Sequence, residues 1–102
     1  MDMKKMMKQA QKMQMEAARA QEEIAQMEFT ATTGGGMVKA VAGGDMTVKS
    51  ISIDPAAVDP DDVEMLEDMV LAAVNEALRS ATEAANTRMS SVMGGMKIPG
   101  LM

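Results

Sequence analysis

Apolar residues recur through the first 27 positions at spacings that alternate between three and four: Met3, Met6, Ala10, Met13, Ala17, Ala20, Ile24 and Met27. This is the two-per-heptad seam of a packed helix. With Met3 at position a, Lys4 falls at b, Lys5, Lys12 and Arg19 at c, and Lys8 at f, so every positive charge lies off the seam. Such a helix is about 40 Å long, whereas a compact 100-residue domain has a radius of gyration of about 13 Å. One small domain cannot cover that seam from end to end. The pattern predicts a helix that packs partly on its own domain and partly on a second copy: a homodimer with projecting basic arms.

After Glu28 the period changes. Phe29–Thr33 reads as a short strand, and Gly34-Gly35-Gly36 as a turn that accepts positive φ. Met37–Ala42 alternates, with Val38, Ala40 and Ala42 on one face, and Gly43-Gly44-Asp45 makes a second tight turn. Met46–Ile53 is the third strand. Glycine turns this short imply an antiparallel meander, since parallel strands need a long crossover. Asp54-Pro55 ends the sheet. Asp59 is then expected as the N-cap of a second helix, with Pro60 at its first position and Asp61, Asp62 and Glu64 in its opening turns. Its stripe, Val63, Leu66, Val70, Val74, Ala77, Ala81, Ala84 and Arg88, carries the helix to about Met89. The alanines of its second half allow another helix to approach closely. The expected fold is therefore α+β: a long N-terminal helix, a three-stranded antiparallel meander and a long C-terminal helix. Residues 1–89 form one domain and 90–102 a flexible C-terminal tail.

Composition narrows the chemistry. The 102 residues include one aromatic, Phe29, and fifteen methionines, so Met is expected to help fill the core. There is neither Cys nor His, which removes disulfides, the usual zinc sites and thiol or imidazole catalysis. The glycine triplet lies between strands, not at a helix start where phosphate-binding loops sit. Asp59, Asp61 and Asp62 lack the alternation of a calcium loop and are better explained as helix-start acids. No enzyme activity, cofactor, metal or small-molecule substrate is expected. No run is long and apolar enough to span a membrane, and the Met/Lys start is not a secretory signal; a cytoplasmic location fits.

Charge is unevenly placed. The net value is −5, but residues 1–21 carry +3, residues 22–85 carry −10 and residues 86–102 carry +2. Basic ends on an acidic body suggest an anionic partner met by the ends alone. The candidate DNA-contacting residues are Lys4, Lys5, Lys8, Lys12, Arg19, Arg88 and Lys97. With no exposed aromatics to stack on bases, and Lys predominating, phosphate contact to duplex DNA is the expected mode. Three other uses of these features stay open: a solvated helix exterior, a membrane-surface helix, and a dimeric scaffold that grips a protein partner.

Five stretches, in order, resemble a known family: Met7-Lys-Gln-Ala-Gln-Lys-Met-Gln14, Gly35-Gly-Met-Val-Lys39, Ile53-Asp-Pro55, Glu64-Met-Leu-Glu-Asp-Met-Val-Leu-Ala-Ala-Val-Asn-Glu-Ala77 and Gly94-Gly-Met-Lys-Ile-Pro-Gly100. The chain is similar to the YbaB/EbfC family of bacterial nucleoid-associated proteins. The resemblance implies a tweezer-like homodimer joined through the sheet region, DNA binding in the cytoplasm and nucleoid, and a role in nucleoid organisation or gene regulation. It implies DNA contact through the terminal helices, which supports Lys8, Lys12 and Arg88. Lys4 and Lys5 rest on charge alone.

Overall fold

The computed structural model describes the backbone over residues 2–94 and side chains over 2–92. Helix α1 spans Met3–Gln26, strands β1, β2 and β3 span Glu28–Thr33, Val38–Gly43 and Val48–Ile53, and helix α2 spans Val63–Gly94. The sheet order is β1-β2-β3 with both pairings antiparallel, the expected meander. The molecule is elongated, 71 × 27 × 16 Å with a radius of gyration of 19.9 Å. Its helices reach well beyond the sheet they pack on.

Local chemistry explains the element ends. The Asp2 carboxylate accepts a hydrogen bond from the Lys4 N–H at 3.1 Å and caps α1. All three glycines of the β1–β2 turn have positive φ (61°, 68° and 94°), a conformation that L side chains resist. The β2–β3 turn is longer than Gly43-Gly44-Asp45. The Asp45 carboxylate accepts from both the Thr47 N–H and the Thr47 hydroxyl, and Met46 sits at φ 65°, so the third strand starts at Val48 and not at Met46.

The start of α2 also differs from expectation. Asp59 accepts from the Asp61 N–H, and the Asp62 N–H donates to the Asp59 carbonyl, closing a tight turn with Pro60 at its second position. Asp62 is the residue that caps α2, accepting from the Met65 N–H at 3.2 Å. The acids at 59 and 62 have the same capping chemistry, and the proline turn assigns the first to the turn. At its other end α2 runs through Gly94, past Met89. Residues 90–94 of the expected tail are thus helical, and 95–102 lie outside the described residues.

The core is thin and built of small side chains. Ala31, Val38, Ala40 and Ala42 of the sheet pack on Ala73 and Ala77 of α2, flanked by Leu66, Met69, Val70, Val74 and Leu78. The Thr33 hydroxyl donates to the Met69 carbonyl at 2.8 Å, tying β1 to the helix. Farther along α2, buried Ala81 belongs to the region where α1 packs through Ala20 and Ile24, as the alanine-rich half of the stripe suggested. Alanine on both sides brings helix and sheet too close to hold long side chains between them. Methionine therefore fills the core less than expected: Met69 flanks it half-buried, but among the described residues no methionine is fully buried, and Met3, Met6, Met7, Met15, Met27, Met46 and Met65 are exposed.

Candidate nucleic-acid interface

Two different lengths of α1 result from where the body ends. Its C-terminal half is anchored: Ala20 and Ile24 are buried, and the Met27 carbonyl accepts from the Gly44 N–H at 3.0 Å. Its N-terminal half is a free rod, with residues 2–12 exposed on every side. Lys4, Lys5, Lys8 and Lys12 all lie on this rod, and it carries no acid between Met3 and Met15. Lys4, Lys8 and Lys12 follow at steps of four, so they rise along one side of the helix at about 6 Å intervals. None of the four is in an ion pair among the described residues. The arrangement is a line of positive charge on a projecting rod about 10 Å wide.

The other candidates are placed differently. Arg19 is exposed on α1 but has Glu16, Glu22 and Glu23 three or four residues away, so its surroundings are acidic. Arg88 donates to the Glu23 carboxylate at 3.0 Å, joining α2 to α1. Glu23 lies eleven residues beyond Lys12, about 16 Å along the axis. The fold therefore groups Lys4, Lys5, Lys8 and Lys12, and sets Arg19 and Arg88 apart. Lys97 lies outside the described residues. Sequence reading missed the Arg88–Glu23 pair because 65 residues separate the partners and only the packing of two helices brings them together.

One cluster of acids lies at the start of α2. Asp62, Glu64 and Asp68 border an open groove with Thr33, Met65, Met69 and Ala72 near the start of α2. Glu64 is 28 residues from Val92, about 42 Å along the helix, several times the Debye length of about 8 Å at physiological salt. The start of α2 is thus an acidic region of its own, while Glu16, Glu22 and Glu23 follow the lysines along α1. Among the described residues there is no cluster of His, Cys, Asp or Glu able to hold a metal ion, and no helix is long and apolar enough to cross a membrane.

Comparison with known proteins bears on the fold and the family. The fold superposes on the crystal structure of an uncharacterized protein from Helicobacter pylori with a TM-score of 0.78, covering 92% of this chain and 99% of that one at 21% identity. A nucleoid-associated protein of Thermoanaerobacter sp. (strain X514) is 58% identical over 96 residues, 94% of this chain and 86% of the relative. A nucleoid-associated protein of Pelotomaculum thermopropionicum is 53% identical over 100 residues, covering 98% and 95% of the two chains. The family model described as the YbaB/EbfC DNA-binding family matches residues 1–96. The chain belongs to that family, a nucleoid-associated DNA-binding family and not a family of enzymes.

Proposed function

We propose that the protein binds duplex DNA as a homodimer, chiefly by phosphate contacts from the α1 rods, and acts in nucleoid organisation or gene regulation. The observation that carries this reading is the rod itself: four exposed lysines and no acid over three helical turns, projecting from an acidic body. Lysine presents a mobile point charge, suited to phosphate and poor at reading base edges. Weak sequence preference is therefore expected. Arg88 and Arg19 contribute less, since nearby glutamates already offset their charge.

The exposure of β3 supports the reading of a second chain. Directly opposed residues of an antiparallel pair share a face. Val38 is opposite Ile53, Ala40 opposite Ile51 and Ala42 opposite Val48. Val38, Ala40 and Ala42 are buried under α2, yet Ile53, Ile51 and Val48 on the same face are 40%, 45% and 42% exposed. Helix α2 lies over β1 and β2 and leaves the third strand uncovered. The apolar face of the sheet thus continues past its own helix, at a free strand edge, which is where a second copy would complete the core.

Fluorescence anisotropy of a labelled random-sequence duplex at about 50 and about 200 mM salt tests the DNA reading. A dimer presents eight rod lysines; with roughly half on phosphate, log K should fall with log salt at a slope of about −3 to −4. Saturable, salt-sensitive binding supports phosphate contact. No binding at the lower salt would overturn it in favour of a scaffold for a protein partner.

A further inference from the structure

Where the start of α2 passes the end of β1, the open groove of about 510 Å³ has an apolar floor and an anionic rim. Met65, Met69 and Ala72 supply the floor, with Met65 58% exposed and Met69 half-buried beside Gly34. On the rim Asp62 caps α2, whereas Glu64 and Asp68 make no ion pair among the described residues. Asp68 precedes Gly94 by 26 residues, about 39 Å along α2. The eight residues after Gly94 span at most about 26 Å, too short to reach the groove.

Such a surface suits side chains with a flexible apolar stem and a positive head, together with methionine. This chain carries both in its α1 tip, Met3-Lys-Lys-Met-Met-Lys8. The spacings agree as well. Glu64 and Asp68 are four residues apart on one helix, as are Lys4 and Lys8 on the other, and so are Met65 and Met69, and Met3 and Met7. Both surfaces therefore repeat at about 6 Å.

A chain cannot fill its own groove. Thr82 of α2 meets Met46, in the turn tied to the end of α1, and Arg88 meets Glu23, so the two helices are antiparallel. From the Arg88–Glu23 contact, Asp68 lies about 30 Å along α2 in one direction and Lys8 about 22 Å along α1 in the other.

We propose that the groove takes the α1 tip of a second copy. The charge of each surface fits the other, and the methionines give an adaptable apolar contact beneath the ion pairs. Tip and groove are different surfaces at opposite ends of α2, so the contact is heterologous and joins molecules into open chains. It is separate from the uncovered face of β3. Under the DNA reading above, a tip held in a groove is withheld from phosphate, but the contact itself does not require DNA.

Sedimentation velocity of nuclease-treated protein tests this at about 10 and about 150 mM salt, between which the Debye length falls from about 30 to about 8 Å. At the lower salt the mean mass should grow several-fold with protein concentration; at the higher salt it should not. Glu64→Lys/Asp68→Lys and Lys4→Glu/Lys5→Glu/Lys8→Glu should each abolish the growth. Their equimolar mixture should restore it, because a positive tip again meets a negative groove. Glu76→Lys/Glu83→Lys, farther along α2, makes the same change in net charge as the groove variant and should associate like the parent. A parent that does not grow at low salt would overturn the proposal. So would a mixture that stays as small as its components, or a loss of growth in the Glu76/Glu83 variant equal to that in the groove variant. No DNA is present in these measurements, so their outcome is independent of the anisotropy assay.

Discussion

Gly44 has no room for a side chain. A Cβ there would stand 1.7 Å from the Ile24 carbonyl oxygen, and its N–H already donates to the Met27 carbonyl. The β2–β3 turn and the end of α1 meet backbone to backbone, and this contact sets the direction in which the rod leaves the body. Gly44→Ala should cost about 3 kcal/mol or more, the upper range for forcing atoms into a packed site, measured by urea unfolding. Next to it, hydrogen bonds from the Thr47 hydroxyl and Lys49, and the Thr47 N–H, hold the Asp45 carboxyl below its ordinary value. A depressed carboxylate contributes stability that is present above the unfolded-state value, about 3.9, and is lost as pH falls through the lower folded value. Asp45→Asn should therefore reduce the acid-dependent loss of stability below about pH 4. The effect is small because the pair is exposed and solvent screens it. Unfolding curves of parent and variant that stay parallel down to about pH 2 would contradict this assignment.

The elements themselves were readable where a local signal decides them. The 3-4 seam located α1, the glycine turns gave the antiparallel order, and the alternation of Val38, Ala40 and Ala42 identified the buried face of β2. Two equivalent signals three residues apart were not separable: Asp59 and Asp62 are both good caps, and only the turn closed between them shows which one begins α2. Long-range pairing was illegible for a different reason, since nothing near Arg88 in sequence reveals Glu23. That difference leads to a prediction for the helices. Lys5→Glu/Lys8→Glu/Lys12→Glu should leave helical content and oligomeric state intact, because all three side chains are exposed. In anisotropy it should abolish detectable DNA binding at about 50 mM salt, as each phosphate contact becomes a repulsion. Arg88→Gln should leave the salt slope nearly unchanged, whereas loss of a true phosphate contact would reduce it by about one. A reduced slope would move Arg88 into the contact set.

At the scale of the whole molecule, the sequence pattern and the shape lead to the same question: what covers apolar surface that one chain leaves open? The uncovered face of β3 and the lysine rod are different surfaces, so dimerisation and DNA contact should separate under mutation. Ile51→Asp/Ile53→Asp places charge opposite Ala40 and Val38, on the part of the sheet face that α2 leaves largely uncovered in the single chain. If a second copy covers that face, the variant buries two unpaired carboxylates at the interface, a heavy penalty. Sedimentation velocity should then show a dimer for the parent and a monomer for the variant, with helical content largely kept because neither side chain is in the buried core. The monomer keeps its own four lysines. It should therefore still bind DNA, but with roughly half the salt slope and weaker affinity, since two linked rods gain from effective concentration. A variant that remains dimeric would place the interface elsewhere and leave the β3 face without the role assigned to it. A monomer that binds as tightly as the parent, with the same slope, would mean that one rod suffices and that the dimer does not act through two arms.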